Sequence, residues 1–206
     1  RLALFDQVIE TMGTVHTVVN NASAFEPDTG LAFDPALAER QMAVNLMAPL
    51  SLARQLALYS RAQGLPPGCA VHVLDQKVFN LNPDYFSYSL TKLALERAVG
   101  LQAQALAPWL RVCGVAPGLM FESGPQSADN FARASGMNLL QTPLKAQDVA
   151  QTCVFLAENS GITGTTVCVD NGQHLVPLGR DVMFAVEANP LFAPLLPLEP
   201  APVARP

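Results

Sequence analysis

The 206-residue sequence has few charged side chains and no long apolar run. Charged residues make up 14% of the chain, and 12 basic side chains stand against 17 acidic ones, for a net charge of -5. This balance argues against non-specific binding to nucleic acid or to an anionic membrane, because both require a basic face. No apolar run approaches the roughly 18 residues of a membrane-spanning helix, and Asp6 and Glu10 rule out a signal-peptide pattern. We therefore expect a soluble protein without nucleic-acid or membrane partners.

Cysteine is also scarce, and no C-x-x-C or Cys/His ligand spacing occurs, so the sequence predicts no metal site. The single cysteines fall inside apolar segments, which is typical of inert core thiols and favours a reducing, cytoplasmic location. The three histidines are isolated from one another and are interpreted as core or surface residues. The four cysteines are Cys69, Cys113, Cys153 and Cys168.

Half of the residues are hydrophobic, enough for a substantial core. Short apolar strands alternate with longer helical patterns, which predicts a parallel sheet covered by helices on both faces, an α/β fold. The predicted strands are 15–19, 69–74, 111–115 and 165–169. The predicted helices are 2–10, 34–63, 86–107, 128–134 and 146–158.

The composition changes near Pro177, which divides the chain into a domain at 1–176 and a C-terminal extension at 177–206. Six prolines fall in the last 17 residues, and residues 187–206 are expected to be mostly unstructured. Residues 181–186 are expected to dock as a short element.

Tyr88 and Lys92 form the sharpest local motif, a Tyr and a Lys four residues apart at the start of a long helix. This spacing places both side chains on one helix face. A nearby ammonium favours phenolate and is expected to lower the pKa of the phenol, which suits tyrosine to proton transfer. A Tyr and a Lys at this spacing are common by chance, so a catalytic interpretation depends on the other motifs in the sequence.

Several further motifs accompany this pair in the order typical of short-chain dehydrogenases/reductases, and the chain resembles that family over about residues 5–175. An N-N-A-S turn follows the first strand, an Asn lies in the next helix, and P-G follows the third strand. T-G and D-N-G segments close the pattern near residues 163 and 170. The matching residues are Asn20, Asn21, Ala22 and Ser23; Asn45; Asp75; Tyr88 and Lys92; and Pro117 and Gly118.

The resemblance implies a Rossmann-like doubly wound parallel sheet, here lacking its first strands, and NADPH as the cofactor, with NADH not excluded. It implies that Tyr88 is the general acid, that Lys92 binds the nicotinamide ribose, and that Asn45 holds a proton-relay water. It also assigns cofactor contacts to segments 20–23 and 117–118, together with Tyr88 and Lys92.

Asp75 stands where the family usually has a serine that assists the tyrosine. A serine hydroxyl donates to a ketone oxygen, whereas an ionised aspartate only accepts and repels a developing alkoxide. A carboxylate suits a substrate with N–H donors, such as a pterin, or supplies a proton if burial raises its pKa. The alternative interpretation is that Asp75 only caps the next turn.

The segment around Ser23 and Phe25 is similar to the N-N-A-S-x-F segment of pteridine reductases and to the corresponding segment of dihydromonapterin reductases. This resemblance implies that Phe25 stacks on the pterin and that Ser23 lines the cofactor and substrate site. The substrate-binding set is then Ser23, Phe25, Asp75 and Tyr88. The alternative for Phe25 is a packing residue in a loop.

The family's glycine-rich phosphate loop is not found, because only 19 residues precede Asn20 and none of the 13 glycines forms its pattern. The interpretations left open are a truncated chain, a second polypeptide that supplies this part, and a non-catalytic scaffold. Without a neighbouring strand, the first predicted strand would present an apolar edge.

The favoured function is reduction of a pterin or a dihydrofolate-like C=N bond, and the alternative is a carbonyl or alcohol oxidoreductase of the same family. Two long helices, 34–63 and 86–107, carry apolar residues around much of their circumference. Since the family assembles through these helices, a homotetramer is expected.

Overall fold

The computed structural model describes residues 2–124 and 126–188, which form four strands and seven α-helices, with one π-helical and two 3-10 segments. The strands are β1 Thr17–Asn20, β2 Gly68–Val73, β3 Leu110–Pro117 and β4 Thr166–Val169. The α-helices are α1 Leu2–Met12, α2 Pro35–Met42, α3 Ala48–Gln63, α4 Phe86–Leu106, α5 Ala128–Ala134, α6 Ala146–Glu158 and α7 Val182–Ala188. None of the helices in these two stretches combines the length and hydropathy needed to cross a bilayer.

The four strands form one parallel sheet in the order β1-β2-β3-β4. Thr17 is opposite Cys69, Cys69 is opposite Arg111, and Gly114 is opposite Thr166. All strands therefore end at the same edge of the sheet, where ligands bind in open α/β folds. The predicted α/β architecture with a parallel sheet is confirmed. Within the described stretches β1 pairs with β2 alone, and Val19 is 45% exposed.

Helices cover both faces of the sheet, as the continuous apolar strands predict. On one face, buried side chains of α3 and α4, including Leu56, Leu95 and Val99, pack against β2 and β3. On the other face, α6 contributes Val149 and Leu156. Full burial of a leucine side chain contributes about 1.5–3 kcal/mol, so these two layers hold the sheet from both sides.

The helix predicted over 34–63 is interrupted by one π-helical turn at Ala43–Met47. Pro49 follows within the next turn and has no N–H to donate, so the regular hydrogen-bond ladder cannot continue through it. Ala48 donates instead to the carbonyl of Ala43, five residues back. The π turn buries Asn45, which is 1% exposed, and such turns are frequent at functional sites.

The short element expected at 181–186 is present as α7 and packs on α5. Val182 and Val186 form a buried cluster with Ala134 and Met137. The described part of the proposed C-terminal extension is thus packed on residues that precede it. The expected unstructured tail at 187–206 lies outside the described residues from 189 onward.

A core truncation on α6 tests the two-face packing. Leu156 is 0% exposed, whereas Val154 on the same helix is 55% exposed. We expect Leu156→Ala to lower the free energy of unfolding by about 2–5 kcal/mol, because it removes apolar contacts and leaves a cavity. Val154→Ala is the matched control and should change it by no more than about 0.5 kcal/mol. Equal effects in urea unfolding would contradict the described packing.

Candidate active site

Asp75 follows the end of β2 and uses its two carboxylate oxygens for different purposes. Oδ1 accepts a 2.8 Å hydrogen bond from the backbone N–H of Lys77 and so caps the 3-10 turn Gln76–Val78. Oδ2 accepts a 2.8 Å hydrogen bond from the Tyr88 hydroxyl. The capping role and the pairing with Tyr88 considered from the sequence therefore coexist on one side chain.

Tyr88 is placed beside Asp75 by the first turn of α4. Asp28, in the loop after β1, accepts hydrogen bonds from both the backbone N–H and the hydroxyl of Ser87. Because Asp28 is buried, these bonds fix the start of α4 to that loop. The neighbouring Tyr88 is 5% exposed.

Lys92 lies one helical turn beyond Tyr88, as the four-residue spacing predicts. Its Nζ donates a 2.8 Å hydrogen bond to the carbonyl of Val73, the last residue of β2, and lies 5.7 Å from the centre of the Tyr88 ring. The ammonium is thus anchored to the end of the strand, next to the phenol ring.

Burial shifts the pKa of each member of this trio towards its neutral form. It raises the pKa of Asp75 and lowers that of Lys92 to about 8. The pKa of Tyr88 lies well above 10, because the phenol is buried and faces the Asp75 carboxylate. The expectation that Lys92 lowers the pKa of Tyr88 is therefore wrong for this arrangement. The phenol donates its hydrogen bond to Asp75, and this contact favours the protonated form of Tyr88.

Asn45 ties the loop after β1 to α4. Its Oδ1 accepts from the Ala24 N–H at 2.7 Å and from the Ser23 hydroxyl at 3.2 Å. Its Nδ2 donates to the Ala24 carbonyl at 2.9 Å and to the Thr91 hydroxyl at 3.0 Å. These four bonds use the full capacity of the amide. A proton relay through this side chain would require one of them to break.

Phe25 lies against two tyrosines of the α4 segment. Its ring stacks on Tyr85 with a centroid distance of 4.0 Å and meets Tyr88 edge-on at 4.7 Å. The packing role considered from the sequence is thus present, and the ring also lines a cleft. The stacking of a ligand on Phe25 stays a prediction.

This cleft has a volume of about 220 Å³ and opens at the carboxyl edge of the sheet. Among the predicted site residues, its walls include Phe25, Asp75, Tyr88 and Gly118. Asn20 is not part of the wall; its amide is bound to buried His72 at 3.1 Å. The cofactor contacts expected for segments 20–23 and 117–118 stay predictions.

Sequence reasoning missed six polar residues of the cleft wall: Gln76, Lys77, Glu122, Ser123, Gln173 and Asp181. Lys77 is 3% exposed, and its Nζ donates to Asp181 at 2.7 Å and to Asn82 at 3.1 Å. The immediate proximity of Gln76 and Lys77 to Asp75 was an available signal. The contribution of Asp181 was not visible, because it comes from a segment 104 residues farther along the chain than Lys77.

Comparison with known proteins places this geometry in a family. The sequence model of the enoyl-(acyl carrier protein) reductase family matches residues 2–174. The chain belongs to the short-chain dehydrogenases/reductases. Groups of three or more His, Cys, Asp or Glu side chains that could hold a metal ion are not found in the part of this reductase-family chain that is described.

Relatives within the family include pterin-reducing enzymes by name. The dihydromonapterin reductase of Escherichia coli (strain SMS-3-5 / SECEC) is 26% identical over 177 residues, which cover 84% of this chain and 72% of that protein. The crystal structure of FolM alternative dihydrofolate reductase 1 from Brucella suis, in complex with NADP, is 38% identical. It has a TM-score of 0.77 and the match covers 84% of this chain and 69% of that one.

The fold likeness also extends to members with other substrates. The gluconate 5-dehydrogenase from Burkholderia cenocepacia, in complex with NADP and tartrate, is 23% identical with a TM-score of 0.73, over 83% of this chain and 69% of that one. At that identity the likeness shows the short-chain reductase fold alone.

The buried ammonium of Lys92 gives a prediction for stability against pH. Burial lowers its pKa from 10.5 to about 8, so between these pH values the unfolded chain holds a proton that the folded chain has released. Folding stability from this group therefore rises with pH across that window, by up to roughly 3 kcal/mol for a shift of this size.

Chemical unfolding of the wild type and of Lys92→Met at several pH values from 7 to about 10.5 measures this. We expect the wild type to gain stability relative to Lys92→Met as the pH rises. Parallel stability curves for the two proteins would show that Lys92 is not desolvated in the folded chain.

Proposed function

We propose that this protein is an NADPH-dependent reductase that transfers a hydride to the C=N bond of a pterin or dihydrofolate-like substrate. The observation that carries the proposal is the 2.8 Å hydrogen bond from the Tyr88 hydroxyl to Asp75 in the wall of the cleft. The names of the dihydromonapterin reductase and alternative dihydrofolate reductase relatives support the same substrate class.

The carboxylate of Asp75 favours a C=N bond over a C=O bond. Reduction of C=N adds a hydride to carbon and a proton to nitrogen, and a carboxylate accepts the N–H that results. Reduction of C=O builds negative charge on oxygen, which an ionised carboxylate repels. Tyr88 is proposed to give its proton to the substrate nitrogen, which leaves a phenolate beside Asp75. A proton from solvent then restores the phenol. Asp75 can relay it by first taking that proton from water, because burial raises the pKa of this carboxyl group.

The donor set around Lys92 fits the nicotinamide ribose of the cofactor. The ammonium has three hydrogens, and among the described residues it makes a single hydrogen bond, to the Val73 carbonyl. Two hydrogens remain for ribose hydroxyls, and the ammonium lies 5.7 Å from the centre of the Tyr88 ring. NADPH, when bound, supplies the hydride, and we propose that Lys92, Tyr88 and segments 20–23 and 117–118 hold its nicotinamide half.

The second candidate is a carbonyl or alcohol oxidoreductase in which Asp75 is protonated. Burial raises the pKa of Asp75, and a neutral carboxyl group can donate to a ketone oxygen as a serine does. A panel of dihydropterins and ketones, each offered with NADPH, separates the two candidates.

Cofactor binding and substrate turnover by the 206-residue chain test the proposal. Binding should be followed by nicotinamide fluorescence, because Trp109 immediately precedes β3 at the opposite edge of the sheet from the cleft. We expect saturable binding of NADPH, and oxidation of NADPH that depends on a dihydropterin. Folded protein that binds NADPH but reduces only ketones supports the second candidate, and failure to bind either NADPH or NADH contradicts both.

Removal of the Asp75 carboxylate separates catalysis from cofactor binding. We expect Asp75→Ala to lower kcat for a dihydropterin by about 10²–10⁴-fold, the usual contribution of a proton-transfer group. The Kd for NADPH should change little, because the proposed ribose contacts come from other residues. Steady-state kinetics and a fluorescence titration provide the two readouts.

Asp75→Asn is the second variant, since it keeps an oxygen that can accept from the Lys77 N–H and so preserves the cap. Asp129→Ala, at a side chain 85% exposed on α5, is the surface control and should match the wild type. Equal losses of turnover and NADPH affinity in both Asp75 variants would overturn the assigned role.

A further inference from the structure

Gln76 is a buried amide in the wall of the cleft that none of the roles above uses. It follows Asp75 directly and opens the 3-10 turn Gln76–Val78. The residue is 8% exposed and shares the cleft wall with Phe25 and Tyr88. Its main chain already serves the turn, because its carbonyl accepts a 2.9 Å hydrogen bond from the Phe79 N–H.

The side-chain oxygen of Gln76 has no hydrogen-bond partner within residues 2–124 and 126–188. Buried polar atoms are usually hydrogen-bonded, and one that is not lowers the stability of the folded state. The other amide of the wall, Gln173, differs in this respect, since its Oε1 accepts from the Leu119 N–H at 2.9 Å. The side-chain oxygen of Gln173 thus stabilises the fold, whereas the side-chain oxygen of Gln76 makes no such contact.

The position of Gln76 favours the ring of a substrate over its side chain. Gln76 is almost fully enclosed, whereas Phe121, on another part of the wall, is 63% exposed. Gln76 follows Asp75 directly in the sequence and lines the same cleft as Asp75 and Tyr88. A ring that reacts beside these two side chains therefore shares the cleft with Gln76, and a flexible substituent can extend towards Phe121.

A primary amide presents a donor and an acceptor side by side, and the terminal torsion of glutamine is soft, so either end can turn to the cleft. The lactam edge of a pterin presents the complementary pair, an N–H and a C=O on adjacent atoms. Amide side chains pair with base edges in the same two-bond manner.

We propose that Gln76 is a substrate-specificity residue that hydrogen bonds the lactam edge of the pterin ring with its side-chain amide. This inference rests on the proposed function and names a further contact of the same cleft. It assigns Gln76 to substrate binding and not to the chemical step.

Gln76→Leu tests the assignment by steady-state kinetics with NADPH and two dihydropterins, one with a polyol substituent and one with a methyl group. We expect KM to rise about 10–100-fold for both substrates while kcat stays within about threefold, the pattern of lost uniform binding. The Kd for NADPH should not change. The thermal midpoint should be equal to or above that of the wild type, because the variant removes an unpartnered buried atom.

Gln126→Leu is the control for loss of a buried, unpartnered Oε1, since Gln126 is also 8% exposed. Its Nε2 donates to Asn130 Oδ1 at 2.8 Å, so this variant is expected to have a lower thermal midpoint than the wild type. Gln126 lines a different cavity, between α5 and α7, and its replacement should leave KM at the wild-type value. Gln76→Met provides a second, unbranched replacement if the leucine variant does not fold.

Three results would overturn the inference while the proposed function stands. The first two are an unchanged KM in Gln76→Leu and a rise in KM confined to the polyol substrate. The third is a rise in KM that comes with a lower thermal midpoint and weaker NADPH binding in both Gln76 variants. Wild-type protein that binds NADPH but reduces no dihydropterin would overturn the proposed function, and the inference with it.

Discussion

The parallel pairing of four strands is the constraint on which the candidate site depends. Parallel strands end at one edge of the sheet, so segments far apart in sequence, after β1, β2 and β3, converge there. The helix α4 then brings Tyr88 against Asp75, thirteen residues away. Because side chains alternate between the faces of a strand, a slip of one residue in the register of β2 would exchange the side chains that face α3 and α4 with those that face α6. The two apolar layers that fix this register therefore also fix the distance between Asp75 and Tyr88.

Enclosure gives the trio of Asp75, Tyr88 and Lys92 its chemical character. In a medium of low polarity each ionisable group favours its neutral form, and all three pKa values shift in that direction. A phenol that donates to a neighbouring carboxylate is held protonated until another acceptor competes for its proton. The arrangement is compatible with the proposed role of Tyr88 as an acid towards a substrate nitrogen, and it makes the phenol of the free protein a weak acid. Lys92 contacts the Val73 carbonyl and the Tyr88 ring, and the role proposed for it is to bind ribose hydroxyls near the end of β2.

The helices and strands were largely predictable because they depend on local signals, and helices α5 and α6 have the predicted bounds. The association of Asp75 with Tyr88 was predictable only through the resemblance to the short-chain reductases, because no local pattern joins residues 13 positions apart. The π turn was not predicted, because the helical pattern depends on the spacing of apolar side chains. That spacing carries no information on the backbone carbonyls that Pro49 leaves without a donor. The ion pair between Lys77 and Asp181 joins residues whose proximity only the docking of α7 creates, and no local pattern carries that information.

Three side-chain amides near the cleft show how one functional group divides between structure and recognition. Asn45 uses its full hydrogen-bonding capacity to join the loop after β1 to α4. Gln173 accepts from the backbone after β3. Asn45 cannot bind a ligand without losing a contact of the fold, and the Oε1 of Gln173 is likewise committed to the backbone. Gln76 has the same chemistry, yet its oxygen lacks a partner among the described residues, so it can accept a hydrogen bond from a ligand without losing a contact of the fold. An enclosed amide left in this state next to Asp75 lowers the stability of the free protein, and that cost is offset when a complementary ring occupies the cleft.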